Sequence, residues 1–178
     1  MNIYLIGYRC TGKTSVGQEL AEKLDWRFID TDQAIVETAG MSISKIVEQN
    51  GWPFFRQLEK QVFVDLNKRA GLVVATGGGV ILDSHNRSVL KDPENLTVWL
   101  RASIQTIYTR LKNDRQTSEF RPSLTDSPLL REISETLAER NPYYESTMDV
   151  AVDTDQQPVG KICALIIQEA TNARKHNW

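Results

Sequence analysis

The 178-residue chain is poor in the features that mark several large protein classes. It has only two cysteines, Cys10 and Cys163, far apart, so neither a disulfide framework nor a thiolate metal site is written into it. It has almost no charge excess: 21 Lys and Arg against 23 Asp and Glu leave −2, which gives no electrostatic footprint for nucleic acid or an anionic membrane. No apolar run approaches the roughly 20 residues that cross a bilayer. The apolar start Ile3–Ile6 lacks a basic leader and runs straight into a glycine turn, which argues against a secretion signal; the expectation is a cytoplasmic chain. There are only two histidines, His85 and His176, and none of the motifs below needs one, so both are expected to face solvent. Repeats, low-complexity tracts and linkers are absent. What remains is ordinary: 40% hydrophobic and 25% charged residues, enough for one sizeable core in a single domain over 1–178, with no apolar stripe left over for a partner, hence an expected monomer.

Along the chain, short apolar runs alternate with amphipathic stretches. Strands are predicted at Asn2–Ile6, Arg27–Ile29, Leu72–Ala75, Leu96–Leu100 and Val150–Val152. Helices are predicted at Thr14–Leu24, Asp32–Ala39, Ser42–Gln49, from Pro53 to about Arg69, and at Ser84–Leu90, Ile104–Lys112, Leu129–Arg140 and Val159–Ala173. Asn113–Ser127 is polar, charged and proline-containing, and reads as a mobile loop. Continuous rather than alternating apolar strands imply burial on both faces, so the expected fold class is α/β: a three-layer αβα domain around a parallel five-stranded sheet. Sites in such folds lie beyond the carboxyl ends of the strands, and the three richest motifs here follow Ile6, Ile29 and Ala75.

The first of them is "GYRCTGKT", Gly7 to Thr14, with a strand before it and a helix after it. Gly7-x-x-x-x-Gly12-Lys13-Thr14 is the phosphate-binding loop pattern. Its glycines let the backbone N–H groups fold around phosphate oxygens, and the following helix adds its positive end. Lys13 reaches the β- and γ-phosphates as a point charge, and the Thr14 hydroxyl binds Mg²⁺. The loop residues Cys10, Thr11, Gly12, Lys13, Thr14 and Ser15 are therefore the candidate nucleotide contacts; the Cys10 thiol is assigned no chemistry.

Three further stretches bear on the phosphoryl acceptor. "FIDTDQAIVETAG" places Asp30 and Asp32 two residues apart after the second strand, either as helix-capping acids or as a metal-side and a substrate-side carboxylate. "FFRQLE" puts Arg56 and Glu59 at i,i+3 spacing, either an exposed pair or a guanidinium fork oriented by an acid behind it. Gly77-Gly78-Gly79 after a buried strand suits backbone lying against a ligand, or else a flexible turn.

Together with "FRPSL" (Phe120–Leu124) and "ERNPYY" (Glu139–Tyr144), these stretches in this order resemble the shikimate kinase family, P-loop kinases of nucleoside-monophosphate-kinase-like fold with a mobile lid. The resemblance covers almost the whole chain. It implies ATP and shikimate as substrates with Mg²⁺, a lid at about 113–127, and a substrate-binding helical region at about 31–60. It makes Lys13, Asp32 and Arg121 catalytic, Asp32 at the acceptor hydroxyl and Arg121 on the ATP phosphates. It gives the metal to Thr14 and Asp30, and the acceptor to Asp32, Arg56, Gly77, Gly78, Gly79 and Arg140, with Arg56 and Arg140 on its carboxylate. Arg110 and Gln156 fall where the family packs adenine. On the residues alone, Arg110 also reads as the solvated side of a helix, and Arg140 as a complement to its helix's C-terminal end. Two departures stand out: Trp52 follows Gly51 where the family often has Glu, and Arg121-Pro122 is followed by Ser123 rather than Leu. A gluconate or nucleoside-monophosphate kinase, or a silent nucleotide-binding module, is the alternative on the same fold.

Overall fold

The computed structural model describes residues 1–113 and 128–176, with side chains described as far as Asn172. Five strands, β1 (Ile3–Ile6), β2 (Arg27–Asp30), β3 (Leu72–Ala75), β4 (Leu96–Arg101) and β5 (Val150–Asp153), pair in parallel in the order β2-β3-β1-β4-β5. Seven helices are described: α1 (Lys13–Leu24), α2 (Thr31–Ala39), α3 (Ile43–Asn67), α4 (Ser84–Leu90), α5 (Ile104–Asn113), α6 (Leu129–Thr147) and α7 (Val159–His176), with a 3₁₀ turn at Val80–Leu82. The sheet therefore lies between two helical layers, as the alternating pattern predicts.

The central strand explains the layering. All four side chains of β1 are fully buried. Because side chains alternate across a strand, Ile3 and Leu5 point one way and Tyr4 and Ile6 the other. Ile3 and Leu5 pack with Val16 and Leu20 of α1 and Ile162 and Ile166 of α7. Tyr4 and Ile6 pack with Phe63 of α3, Ile81 and Leu90, and Tyr144 of α6. Each large apolar side chain removed from water is worth about 1.5–3 kcal/mol, so β1 anchors both layers. A separate small cluster, Ile35, Ile43, Ile46 and Phe55, joins α2 to α3 outside the sheet.

Register then sets the site. Leu5 lies opposite Ala75, and Asp30 lies opposite Ala75 from the other side, so β1, β2 and β3 end at one level. The loops after Ile6, Asp30 and Ala75 consequently open onto a common edge.

Local chemistry sets the helix ends. Asp30 caps α2, accepting from the amides of Asp32 and Gln33, and Gly40 closes that helix in the left-handed conformation. Ser42 caps α3. The expected break between Gln49 and Pro53 is present: Gly51 has φ 78° and ψ 168°, which splits α3 into two helical segments. Two features differ from the sequence reading. The 3₁₀ turn at Val80–Leu82 was not expected. And α6, expected to end at Arg140, continues through Pro142 to Thr147. Proline deprives that helix of one N–H, yet the turn beyond it carries the fully buried Tyr144, whose stacking on Trp99 of β4 and hydroxyl bond to Gly78 O hold the helix together.

Candidate active site

The phosphate loop is shaped by backbone that few residues tolerate. Gly7 has φ 138°, and a Cβ there would overlap the Leu100 carbonyl of β4; Gly12 has φ 95° and forms the left-handed entry to α1. Cys10 also lies at positive φ (60°). Lys13, nearly buried, donates from Nζ to the carbonyls of Gly7 (2.8 Å) and Tyr8 (2.7 Å), and Thr11 Oγ1 donates to Tyr8 O. The lysine thus closes the loop on itself.

Two cavities flank this loop. The first, with about 1,420 Å³ of empty space, is lined by Cys10 to Val16, Asp30, Arg110, Thr154 and Gln157, among others. The second, about 490 Å³, is lined by Tyr8, Arg9, Asp32, Trp52, Phe55, Arg56, Glu59, Gly77 to Gly79 and Arg140. The two aspartates of the Asp-x-Asp motif are divided between them. Asp30, at the strand end, uses Oδ1 as the α2 cap and accepts from Thr14 Oγ1 through Oδ2 (3.1 Å). Its capping and metal-side readings are therefore compatible, since different oxygens serve them. Asp32, in the first turn of α2, lines the second cavity.

Arg56 is not an exposed partner of Glu59. Its Nη1 donates to Glu59 Oε2 at 2.6 Å, and Glu59 is only 1% exposed. The guanidinium also lies over the rings of Phe55 and Trp52. Trp52, where the family often has an acid, thus supplies a cavity wall and a π face. Burial pushes the Glu59 carboxyl up from 4.5 to about 7, against the lowering pull of Arg56. The glycine triplet is required by contact: Cβ atoms on Gly77 would crowd Asp32 and Glu59, and one on Gly79 would overlap the Arg56 guanidinium. Gly78 presents its carbonyl to Arg140 Nη1 (3.2 Å) and to the Tyr144 hydroxyl.

Arg140 is mid-helix, so it does not complement a helix end; Met148 is the C-cap. Arg110 is half-buried and is no solvated arginine: Nη1 donates to Cys10 O and Thr154 Oγ1 (both 3.1 Å) and Nη2 to Thr154 O (2.9 Å), tying the phosphate loop to the end of β5. Gln156 does not line the nucleotide-side cavity; it is exposed, at φ 53°. That turn instead brings Gln157 to the cavity, with its Oε1 buried and without a hydrogen-bond partner among the described residues. Arg121 and the expected lid, apart from Asn113, lie outside the described residues.

A family model described as shikimate kinase matches residues 9–171. The chain belongs to the shikimate kinase family. It is 40% identical to a shikimate kinase of Syntrophus aciditrophicus over 97% of this chain and 92% of that one, and 39% identical to a shikimate kinase 2 of an Enterobacter species over 88% of each. Among solved structures, shikimate kinase from Acinetobacter baumannii in complex with shikimate superposes with a TM-score of 0.88 at 32% identity, covering 96% and 93%. A gluconokinase from Sinorhizobium meliloti, at 23% identity and TM-score 0.57 over 99% and 97%, shares the fold alone.

Within this family frame, several residues that line or brace the site were missed from sequence: Tyr8, Arg9, Glu132, Tyr144, Thr154 and Gln157. Four polar residues on α6 carry a usable signal. Glu132, Thr136, Arg140 and Tyr144 recur every fourth residue, and all are buried. Four-residue spacing of polar groups marks one helix face, and a buried polar face needs partners in the site.

Proposed function

We propose that this chain transfers the γ-phosphoryl group of ATP to the 3-hydroxyl of shikimate, giving 3-phosphoshikimate and ADP, a step toward chorismate and the aromatic amino acids. The observation that carries this reading is the division of the site: one phosphate loop with a nucleotide-sized cavity on one side and, on the other, a small cavity holding Asp32, Arg56 and Arg140. Phosphoryl transfer asks the protein mainly for alignment and charge stabilisation, and a shared loop supplies both.

In this reading the γ-phosphate takes over the Lys13 ammonium from the carbonyls of Gly7 and Tyr8. Cys10 to Ser15 cradle the phosphates by backbone N–H groups, and Arg110 and Gln157 border the base. Asp32 accepts a hydrogen bond from the acceptor hydroxyl, orients it and takes its proton. Arg56, braced by Glu59, and Arg140, braced on Gly78, clamp the acceptor carboxylate in charge-assisted bonds, while Gly77 to Gly79 let the ring approach the backbone. Arg121 adds charge to the ATP phosphates. The Thr14 hydroxyl and Asp30 Oδ2, the oxygen not used in the α2 cap, form a hard-oxygen pair that would hold Mg²⁺. A Mg²⁺ ion held there would supply positive charge to offset that of the nucleotide phosphates.

The test is coupled ADP release from Mg²⁺–ATP with shikimate, gluconate, nucleoside monophosphates or no acceptor. Turnover confined to shikimate is expected. Turnover with another acceptor, or ATP binding without turnover on any of them, overturns the assignment.

A further inference from the structure

The phosphate loop changes sides between Arg9 and Cys10. Cys10 and the residues after it line the nucleotide-side cavity; Tyr8 and Arg9 line the acceptor-side cavity and are absent from the other. Arg9 is an extra cation within the loop pattern, and the mechanism above does not use it. Its surroundings are built rather than accidental. Its side chain is 11% exposed, and its Nη2 pairs with Glu132 Oε1, a carboxylate 1% exposed in the first turn of α6. The Tyr8 hydroxyl donates to the same carboxylate oxygen (3.4 Å), and the guanidinium lies 5.6 Å from the Tyr8 ring centroid. Arg9 Nε is buried and has no hydrogen-bond partner among the described residues.

A buried N–H without a partner is costly unless a ligand completes it. Three arginines, Arg9, Arg56 and Arg140, line the acceptor-side cavity with two acids, Asp32 and Glu59, while Glu132 balances Arg9 from outside that lining, so a preference for an anion rests on guanidinium N–H groups rather than on net charge. Arg56 and Arg140 each have one guanidinium nitrogen bonded to protein, and Arg9 repeats that arrangement on Glu132.

We propose that Arg9 is a third anion-binding arginine of the acceptor cavity, offering the guanidinium N–H groups not held by Glu132 to the acceptor carboxylate. Arg9 selects for an anionic acceptor; Glu132 is a positioning residue that acts through it. The proposal rests on the shikimate kinase reading.

The experiment compares shikimate with its uncharged methyl ester in the wild type, Arg9→Gln, Arg9→Lys and the double variant Arg9→Gln/Glu132→Gln, which leaves no uncompensated buried charge. kcat/KM is measured for both acceptors, with KM for ATP and the melting temperature alongside. Replacing Arg9 by Gln, alone or in the double variant, is expected to lower kcat/KM for shikimate by about 10- to 100-fold, the range for a hydrogen bond to a charged group, and to leave the ester within about threefold. Arg9→Lys keeps part of the preference. An equal fall for acid and ester, or an unchanged preference in a folded double variant, overturns the proposal. Calorimetric binding of both compounds in the same variants gives the acid-to-ester ratio without turnover. A wild type that binds shikimate but does not phosphorylate it would therefore count against the proposed reaction and still decide the role of Arg9.

Discussion

Glu59 makes the ligand-free protein's stability depend on pH in an unusual direction. Burial raises its carboxyl from 4.5 to about 7, with Arg56 pulling the other way. Between those two values the folded protein keeps a proton that the unfolded chain has already released. The folded state then binds more protons, so its stability falls as pH rises. The gap, at about 1.4 kcal/mol per pKa unit, amounts to about 3 kcal/mol lost between about pH 4.5 and pH 8. Most paired carboxylates act in the opposite sense, because their partners lower the pKa. Glu59→Gln removes the titration and keeps an oxygen for Arg56 to bind. The assay is urea unfolding of wild type and variant without ligands across this range, and the quantity that isolates Glu59 is the difference between the two curves. The wild type is expected to lose about 3 kcal/mol relative to the variant, or about 6–12 °C in melting temperature for a chain of this size. A difference that stays flat within about 1 kcal/mol, or one that favours the wild type at high pH, refutes the reasoning, and with it the claim that Glu59 is desolvated in the free protein.

Other perturbations separate the two cavities. Asp32→Asn is expected to lower kcat by about 10²–10⁴-fold, the usual worth of a general base, with the Kd for ATP changed less than about twofold by calorimetry. Gly79→Ala places a methyl group where the Arg56 guanidinium lies, so KM for shikimate is expected to rise at least about tenfold while KM for ATP holds in steady-state assays. Arg110→Ala removes one bond to the phosphate loop at Cys10 O and two to Thr154; the expected outcome is the reverse split, KM for ATP up about tenfold and KM for shikimate little changed.

What the sequence made legible follows the range of each signal. The strands and the phosphate loop depend on neighbours within a few residues, and they stand where the pattern put them. So does the break at Gly51, which Pro53 announced. Capping, one of the two readings left open for Asp30, is present beside its contact to Thr14. Placement of Asp32 and Gly77 to Gly79 about one cavity came from the order of motifs in an α/β chain, because parallel strands bring their carboxyl ends together, and that of Arg56 from the family resemblance. The failures are long-range or rest on one-residue geometry. The extension of α6 past Arg140 was not legible because Pro142 has a local cost visible in sequence, whereas the stacking of Tyr144 on Trp99 of β4 is not. Gln156 and Gln157 are the same residue type side by side, and only the positive φ at the first shows which one turns to the cavity. Arg9 was hidden inside a motif whose intervening positions the pattern leaves open.

The charged groups of the site share one further property that explains how it stays folded without substrates. Bringing ATP and a carboxylate acceptor together requires many cations at close range, and buried cations without partners would cost several kcal/mol each. Here each described cation has a tether. Lys13 rests on two loop carbonyls, Arg56 on Glu59, Arg140 on Gly78, Arg110 on Cys10 and Thr154, and Arg9 on Glu132. The four arginine tethers leave further N–H groups for a ligand, so those side chains are already oriented when it arrives. Lys13 differs, because its ammonium must exchange a carbonyl for phosphate. The loop's own backbone therefore holds the lysine in place until the nucleotide replaces it. In the proposed reaction the cost of binding therefore concentrates at Lys13, which would give up loop carbonyls for the transferred phosphoryl group.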